Sequence, residues 1–86
     1  MIEFYIHLDI PKDFTGICKI LFDLSICYFK DGNLHREDGP AIEYADGFKN
    51  WFYKGECIES ENDFTIQSWK EKVKELKRKE RLNIFI

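Results

Sequence analysis

Residues Tyr28 to Ile58 read YFKDGNLHREDGPAIEYADGFKNWFYKGECI, and this stretch decides the fold. Three Asp-Gly pairs, Asp31-Gly32, Asp38-Gly39 and Asp46-Gly47, separate runs of aromatic and β-branched residues. Asp-Gly is favoured in tight hairpin turns, because such turns need backbone conformations with positive φ. Strand-forming runs between turn residues of this kind predict an antiparallel β-meander.

The turns also predict which strands pair. Ala41 to Ala45 and Phe48 to Lys54 flank Asp46-Gly47 and are expected to form a hairpin. Asp31-Gly32 is expected to join two shorter strands. Asp38-Gly39-Pro40 is expected to be a loop, because proline has no amide hydrogen to donate.

Two further strands are expected upstream. Apolar and polar residues alternate from Ile2 to Asp9, which predicts a half-buried strand that ends before Pro11. From Ile17 to Phe29 the β-branched and aromatic residues again favour strand, with helix as the alternative for Ile17 to Phe22. Asp23 is expected to mark a turn or a bulge between two strands.

One helix is expected at the C-terminal end. Phe64 to Leu82 contains neither Gly nor Pro and is rich in helix formers. Ser60 or Asn62 is expected to cap it, with acidic residues next to the cap. Apolar side chains at helical spacing form a stripe that would dock on the sheet: Ile66, Trp69, Val73 and Leu76. Asn83 to Ile86 is expected to add a short strand or to cover the edge of the core.

These elements predict one small α+β domain, residues 1–86. A chain of 86 residues has room for one modest core. We expect an antiparallel β-meander of roughly four to six strands within residues 1–58. A single C-terminal helix is expected within residues 60–82.

Charge is divided unevenly along the chain, whose net charge is −3. Residues 1–69 contain six basic and thirteen acidic residues, and residues 70–86 contain seven basic and three acidic residues. The two parts therefore have net charges of −7 and +4. A block of one sign next to a body of the other favours interaction with a charged partner.

The three cysteines, Cys18, Cys27 and Cys57, match no zinc-ligand spacing and cannot all pair with one another. We expect free thiols that pack as small hydrophobic residues, which fits a reducing compartment. Ile2 to Ile10 lacks the features of a signal peptide, and no apolar run approaches the ~20 residues of a membrane span. A cytoplasmic protein without metal, cofactor or membrane partner is expected.

One segment resembles a known repeat. The residues Leu34-His35-Arg36-Glu37-Asp38-Gly39-Pro40-Ala41 are followed by Tyr44, Asp46-Gly47, Trp51-Phe52 and Gly55. This order is similar to the L-H-R-x-D-G-P-A … D-G-x-x-x-W-Y-x-x-G units of small bacterial and tailed-phage proteins, which are related in style to MORN repeats. About one unit is present, within residues 28–58, because the chain departs from the pattern after Gly55.

The resemblance implies an open antiparallel sheet of β-hairpins and a bacterial or phage origin. It also implies that the C-terminal helix caps the sheet, since repeat arrays need a terminal element that shields the open core. It implies no activity.

His35 to Asp38 include the residue types needed for acid–base chemistry. A general base also needs a substrate pocket and a shifted pKa, and the sequence indicates neither. We therefore expect a structural role, in which Asp38 accepts from backbone amides of the Gly39-Pro40 turn and Arg36 pairs with a carboxylate on a neighbouring strand. The structural motif comprises Leu34, His35, Arg36, Asp38, Gly39, Pro40, Asp46 and Gly47.

The helix contains the most specific functional feature. Five basic residues fall on one side of it, beside the apolar stripe: Lys70, Lys74, Lys77, Arg78 and Arg81. Like charges at i and i+4 destabilise a helix by about 0.2–0.5 kcal/mol per pair, so an acidic group is expected to compensate. The candidates are the acidic sheet of the same chain, an acidic protein partner, or the phosphates of RNA or DNA.

The run Trp51, Phe52 and Tyr53 places aromatic side chains on both faces of one predicted strand. Core packing is expected to take two of them. An exposed aromatic would stack on bases or anchor a protein partner. Trp51 and Tyr53 are therefore candidates for partner binding.

Taken together, these features favour a non-catalytic, phage-encoded interaction protein that binds and inhibits a host protein in the host cytoplasm. Counter-defence or toxin neutralisation would be its task. A host defence or toxin nuclease that holds RNA would suit the basic helix. The alternatives are an RNA- or DNA-binding protein that uses residues 70–81 and an exposed aromatic, and a structural module. A homodimer formed through an unpaired sheet edge is also considered.

Overall fold

The computed structural model describes residues 1–60 and 64–83. Within them, a sheet of seven strands is followed by one helix, which confirms the α+β class. The strands are β1 (Ile2–Phe4), β2 (Gly16–Ile20), β3 (Ser25–Lys30), β4 (Asn33–Leu34), β5 (Ile42–Glu43), β6 (Lys49–Tyr53) and β7 (Glu56–Glu59). The helix is α1 (Ile66–Asn83), and a short 3₁₀ helix (His7–Asp9) follows β1.

The sheet is mixed, with strand order β1-β2-β3-β5-β6-β7, and β4 also pairs with β3. Every paired strand is antiparallel to its neighbour except β1, which runs parallel to β2. The expected sheet of four to six antiparallel strands is corrected to seven strands with one parallel pair. Parallel neighbours need a long connection, and residues 5–15 supply it between β1 and β2.

The strand expected from Ile2 to Asp9 ends early. β1 stops at Phe4, and the Asp9 amide donates to the Ile6 carbonyl at 3.1 Å within the 3₁₀ helix. Leu8, which the alternation placed on the buried face, is 89% exposed. The alternating pattern shows which residues share a face, but it does not show whether anything covers that face.

The predicted turns are confirmed. Asp23 lies in the turn between β2 and β3, where its carboxylate accepts the amide of Ser25 at 3.0 Å. Asp31 and Gly32 have φ values of 51° and 82° and connect β3 to β4. The Asp46-Gly47 pair lies between β5 and β6, as expected.

Gly32 also fixes the position of the N-terminal connection. Its amide donates to the carbonyl of Phe14 at 2.9 Å. A Cβ atom at this position would lie 1.8 Å from the carbonyl oxygen of Lys12. Only glycine therefore allows the residue 5–15 segment to lie against the β3–β4 turn.

The sheet has a core on each face. On the first face the buried side chains are Cys18, Ile20, Cys27 and Ile42. On the second face β6 packs against α1, and the buried side chains are Trp51, Tyr53, Trp69 and Val73. Successive strand residues point to opposite faces, so Phe52 joins the first core while its two neighbours join the second.

The cysteines confirm the expectation in part. All three are free. Cys18 and Cys27 are fully buried and lie opposite each other on β2 and β3. Cys57 is exposed on β7, so the expected packing role is wrong for it.

The helix begins at Ile66 instead of Phe64, and Thr65 caps it. The Thr65 hydroxyl accepts the amide of Ser68 at 3.1 Å. Ser60, one expected cap, lies too far before the helix, and Asn62, the other, lies outside the described residues. Asn83 ends the helix, and the strand expected at its far end falls on residues 84–86, which also lie outside the described part.

The apolar stripe of the helix is largely confirmed. Trp69 and Val73 are buried, and Leu76 packs partly buried against them. Ile66 is 50% exposed and so belongs to the end of the helix that the sheet does not cover. In the part of the chain that the structure describes, no helix is both long enough and apolar enough to cross a membrane.

Candidate functional site

The loop between β4 and β5, residues 35–41, lies beside α1; we call it the motif loop. His35 in this loop is buried, and both of its ring nitrogens have partners. Its Nδ1 accepts the backbone amide of Lys54 at 2.9 Å, and its Nε2 lies 3.1 Å from a carboxylate oxygen of Glu37. Because Nδ1 accepts, Nε2 holds the proton and donates to Glu37. His35 thus positions two segments of the chain, which agrees with the expected structural role.

Arg36 is held on several sides. Its guanidinium donates to the Asp38 carboxylate at 2.9 Å and to the Pro40 carbonyl at 3.1 Å. It also pairs with Glu43 on β5 at 3.4 Å and lies 4.0 Å from the ring centroid of Tyr28. The pairing of Arg36 with a carboxylate of a neighbouring strand is confirmed. Planar, multiply bonded contacts of this kind suit arginine and not lysine.

Asp38 differs from the expectation. Its carboxylate accepts from the Arg36 side chain and not from the amides of the Gly39-Pro40 turn. The hydrogen bond from Arg36 is the main reason that the pKa of Asp38 lies below its usual range. The short acidic side chain thus fixes the guanidinium that crosses the loop.

The Arg36 guanidinium also leaves no room for a side chain at position 39, so this position requires glycine. A Cβ atom at this position would lie 2.6 Å from Cζ of Arg36. Gly39, Pro40 and Ala41 are all buried. The motif loop is therefore packed closely around Arg36.

Among the residues that the structure describes, three polar contacts join the motif loop and the turn after β6 to α1. The indole nitrogen of Trp69 donates to the Arg36 carbonyl at 2.8 Å. Lys77 pairs with Glu37, and Lys54 pairs with Glu80 at 2.9 Å. Together these contacts fix the rotation of α1 about its own axis, and so they determine which helix face is exposed.

Trp51 and Tyr53 do not form an exposed aromatic surface, which corrects their assignment to partner binding. Their exposed fractions are 1% and 6%. The Trp51 ring lies 5.7 Å from that of Trp69 and 5.2 Å from that of Phe64. Burial, together with a hydrogen bond to Glu80, raises the pKa of Tyr53 to about 12. The helix covers the strand face on which both residues lie.

The basic side chains of α1 are exposed along one side. We call the five predicted residues the basic stripe: Lys70, Lys74, Lys77, Arg78 and Arg81. Lys77 is neutralised by Glu37 of the same chain. Within the described residues, the other four form no salt bridge. On the opposite flank of the helix, Lys72 and Lys79 both pair with Glu75.

Two further lysines, which no sequence pattern marks, lie close to the basic stripe. Lys30 and Lys54 both line a cavity of about 290 Å³ with His35 and Asn33, and both line an adjoining cavity of about 530 Å³ with Lys77 and Arg81. The local sequence around Lys30 and Lys54 gives no indication of this. The two turns meet through the sheet, where the Gly55 amide donates to the Leu34 carbonyl at 2.8 Å, and the docking of α1 adds Lys77 and Arg81.

Tyr5 and Phe22 form an exposed apolar cluster at the β1 edge, with exposed fractions of 63% and 73%. Leu8 and Leu24, in the same two connecting segments, are 89% and 52% exposed. The Phe22 amide donates to the Tyr5 carbonyl at 2.9 Å, and the two rings lie 6.3 Å apart. Exposed apolar clusters are common at protein contact sites. This cluster is separated from α1 by the strands between β1 and β6.

Among the described residues, no group of three or more His, Cys, Asp or Glu side chains is arranged to hold a metal ion. Compared with known protein families, with curated proteins and with solved structures, the chain shows no significant match. The resemblance to the MORN-like repeat therefore stays a prediction. The basic stripe on a helix held by the motif loop is the candidate functional site.

Proposed function

We propose that this chain is a non-catalytic binding protein that docks the basic stripe onto an acidic surface of a protein partner. One observation supports the proposal most directly. Lys70, Lys74, Arg78 and Arg81 are exposed on one side of α1, and none of them forms a salt bridge within the described residues.

Repulsion between like charges on α1 also favours an acidic partner. Lys70, Lys74 and Arg78 follow one another at intervals of four residues, and each like-charge pair destabilises the helix by about 0.2–0.5 kcal/mol. Among the described residues, Glu37 forms a salt bridge with Lys77, and Asp38 attracts Lys70 without forming one. The other members of the stripe, Lys74, Arg78 and Arg81, form no salt bridge with the described part of the sheet. An acidic partner would neutralise the remaining charges, whereas the isolated protein leaves them facing solvent.

A protein partner is favoured over nucleic acid for two reasons. The chain has a net charge of −3, and its first 69 residues would repel a phosphate backbone. Stacking on bases beside the basic stripe needs an exposed aromatic ring there, but Trp51 and Tyr53 are buried beneath α1. The exposed rings of Tyr5 and Phe22 lie at the β1 edge, separated from α1 by the strands between β1 and β6.

The resemblance to tailed-phage repeat proteins extends the proposal to a biological role. A phage-encoded binding protein of this kind would block a host factor in the host cytoplasm. A host defence or toxin nuclease is the class of target that we propose. Inhibition would then be stoichiometric, with one protein occupying the surface of the other.

A pull-down from bacterial lysate tests the proposal. The tagged protein is incubated with lysate before and after complete digestion with nuclease, and retained proteins are identified by mass spectrometry. We expect a specific protein to be retained in both samples and to be released as salt is raised, because screening weakens contacts between exposed charges. Loss of every specific protein after digestion would contradict the proposal.

Direct binding of RNA or DNA is the second candidate, and the row of exposed basic side chains along one side of α1 is the observation that favours it. Fluorescence anisotropy with single-stranded RNA and double-stranded DNA separates it from binding of a protein. Affinity in the micromolar range, with a steep dependence on salt, would favour nucleic acid. Absence of binding at physiological salt would favour the protein partner.

Self-association is a third candidate, because β1 and β7 are the two edges of the sheet. Sedimentation equilibrium over a range of concentrations distinguishes it. A mass that stays at 10.3 kDa would exclude a homodimer. If no protein, nucleic acid or second copy binds, the chain is best interpreted as a structural module.

A further inference from the structure

The two adjoining cavities lie beside the turns that follow β3 and β6, and α1 lines the larger of them; we call the two together the groove. Lys30 and Lys54 line both cavities, so the two lie next to each other. The far wall of the groove is formed by Lys77 and Arg81, which also belong to the basic stripe. The stripe therefore leads into a concave surface, and the groove extends it onto the sheet.

Some of the charges in the groove are already neutralised. Lys54 pairs with Glu80 at 2.9 Å, and Lys77 pairs with Glu37. Lys30 and Arg81 are exposed and form no salt bridge with any described residue. Lys30 and Arg81 are therefore the two cations of the groove without a salt bridge among the described residues, whereas Lys54 and Lys77 are held by ion pairs.

The balance of charge indicates what the groove accepts. Its lining contains four basic residues, Lys30, Lys54, Lys77 and Arg81, and three acidic residues, Asp31, Glu37 and Glu80, a net charge of +1. A carboxylate has a single negative charge that this net charge can offset. A phosphate monoester has nearly two negative charges, of which this net charge offsets only one.

We infer that this groove binds a carboxylate side chain from an extended acidic segment of the protein partner, with Arg81 and Lys30 as its ligands. The inference rests on the proposed function, in which the partner is an acidic protein. Arg81 can bind both carboxylate oxygens at once, and Lys30 supplies a second cation from the sheet. The next acidic residues of the segment then lie along Lys74 and Arg78.

The test uses a hexaglutamate peptide with blocked ends as the probe. Backbone amide shifts of the ¹⁵N-labelled protein are followed by NMR during titration at about 0.1 M salt, where weak charge contacts still register. We expect the largest shifts at Lys30, Asn33, Lys54 and Arg81. Lys30→Gln should weaken the affinity by about two- to fivefold, the range of an exposed charge contact.

Lys19→Gln is the matched control, because it removes the same charge from β2, away from α1. It should leave the affinity for hexaglutamate unchanged. A second titration with inorganic pyrophosphate should produce weaker binding than hexaglutamate. Equal or tighter binding of pyrophosphate in the groove would overturn the choice of carboxylate.

The outcomes separate this inference from the proposed function. Shifts confined to amides near Lys70 and Lys74, with no effect of Lys30→Gln, would overturn the groove as the binding site and leave the basic stripe in place. Absence of any shift with hexaglutamate would also overturn it. The proposed function is decided independently, by the protein retained from nuclease-treated lysate.

Discussion

Arg36 lies at the centre of the motif loop, and its contacts explain the residues around it. Asp38 is needed as an acceptor for its guanidinium, Tyr28 supplies a ring face, and Gly39 leaves the space that the guanidinium occupies. The backbone carbonyl of Arg36 is the acceptor for Trp69. One residue thus connects the sheet, the loop and the helix.

Gly39→Ala tests this packing. The guanidinium cannot easily move aside, because Asp38, Pro40 and Glu43 all bind it. We expect a loss of about 1–3 kcal/mol in the free energy of unfolding, the range for overpacking, measured by urea denaturation. In an Arg36→Ala background the same substitution should cost much less. An equal loss in both backgrounds would show that Arg36 is not what excludes a side chain at this position.

The thiols should differ in reactivity. Burial raises the pKa of Cys18 and raises that of Cys27 to about 11, so both remain protonated near neutral pH. Cys57 is exposed. Titration of the native protein at about pH 8 with a disulfide reagent should modify Cys57 rapidly and the other two only after unfolding. Rapid modification of all three thiols would contradict the burial of Cys18 and Cys27.

At the scale of secondary-structure elements, the hairpins were predictable and the long-range contacts were not. Asp31-Gly32 and Asp46-Gly47 specify turns through local backbone chemistry, so their strands could be predicted from the sequence. The parallel pairing of β1 with β2 depends on the path of residues 5–15. That path depends on a contact at Gly32, far away in the chain, which no local pattern encodes.

The docking of α1 can be tested at Trp69. Trp69→Phe keeps an aromatic ring in the core but removes the indole donor and leaves the Arg36 carbonyl without its partner. A buried acceptor without a partner costs about 1–3 kcal/mol, so the urea midpoint should fall accordingly. Val73→Ala, in the same core, gives the effect of lost packing without a lost hydrogen bond. No change in stability for Trp69→Phe would contradict the proposed contact.

The pair between Glu37 and Lys77 should make stability depend on pH. The hydrogen bond from Lys77, and then that from His35, lower the pKa of Glu37. A carboxyl whose pKa is lower in the folded state favours folding at pH values above its unfolded pKa, and this contribution is lost as the pH falls through the folded value.

Glu37→Gln should therefore lower the free energy of unfolding at neutral pH. The fall of this free energy between about pH 5 and pH 3 should be shallower in the variant than in the original protein. Thermal unfolding across this range, with Glu71→Gln as a control outside the ion pairs of the motif loop, provides the measurement. An acid decline as steep in the variant as in the original protein would exclude Glu37 as a contributor.

At the scale of the whole molecule, the division of charge along the sequence changes when the chain folds. The sequence separates an acidic body from a basic C-terminal segment. The fold brings Lys30 and Lys54 from the acidic body next to the helix and uses Glu37 of that body to neutralise Lys77. The five residues of the basic stripe were predictable from helical spacing alone.

The two aromatic candidates failed for a physical reason. Trp51 and Tyr53 share one face of β6, and a sequence does not reveal which face an amphipathic helix will cover. In the fold, Trp69 and Val73 of α1 pack against the face that holds Trp51 and Tyr53, and both aromatic side chains are buried. The apolar residues that stay exposed, such as Phe22 and Leu8, lie instead beside β1, where the alternation predicted a longer strand.

The central claim is that the basic stripe binds an acidic protein, and charge reversal tests it most directly. The protein retained from nuclease-treated lysate is quantified with the original chain, with Lys74→Glu and Arg78→Glu combined, and with Lys72→Glu and Lys79→Glu combined. Both double variants change the net charge equally on the same helix. Lys72 and Lys79 lie on the flank paired with Glu75.

We predict that the Lys74→Glu and Arg78→Glu combination lowers retention by about tenfold or more, because two charge contacts become repulsive. The Lys72→Glu and Lys79→Glu combination should retain the partner nearly as well as the original chain. Equal retention by all three proteins, with folding verified by circular dichroism, would contradict the account.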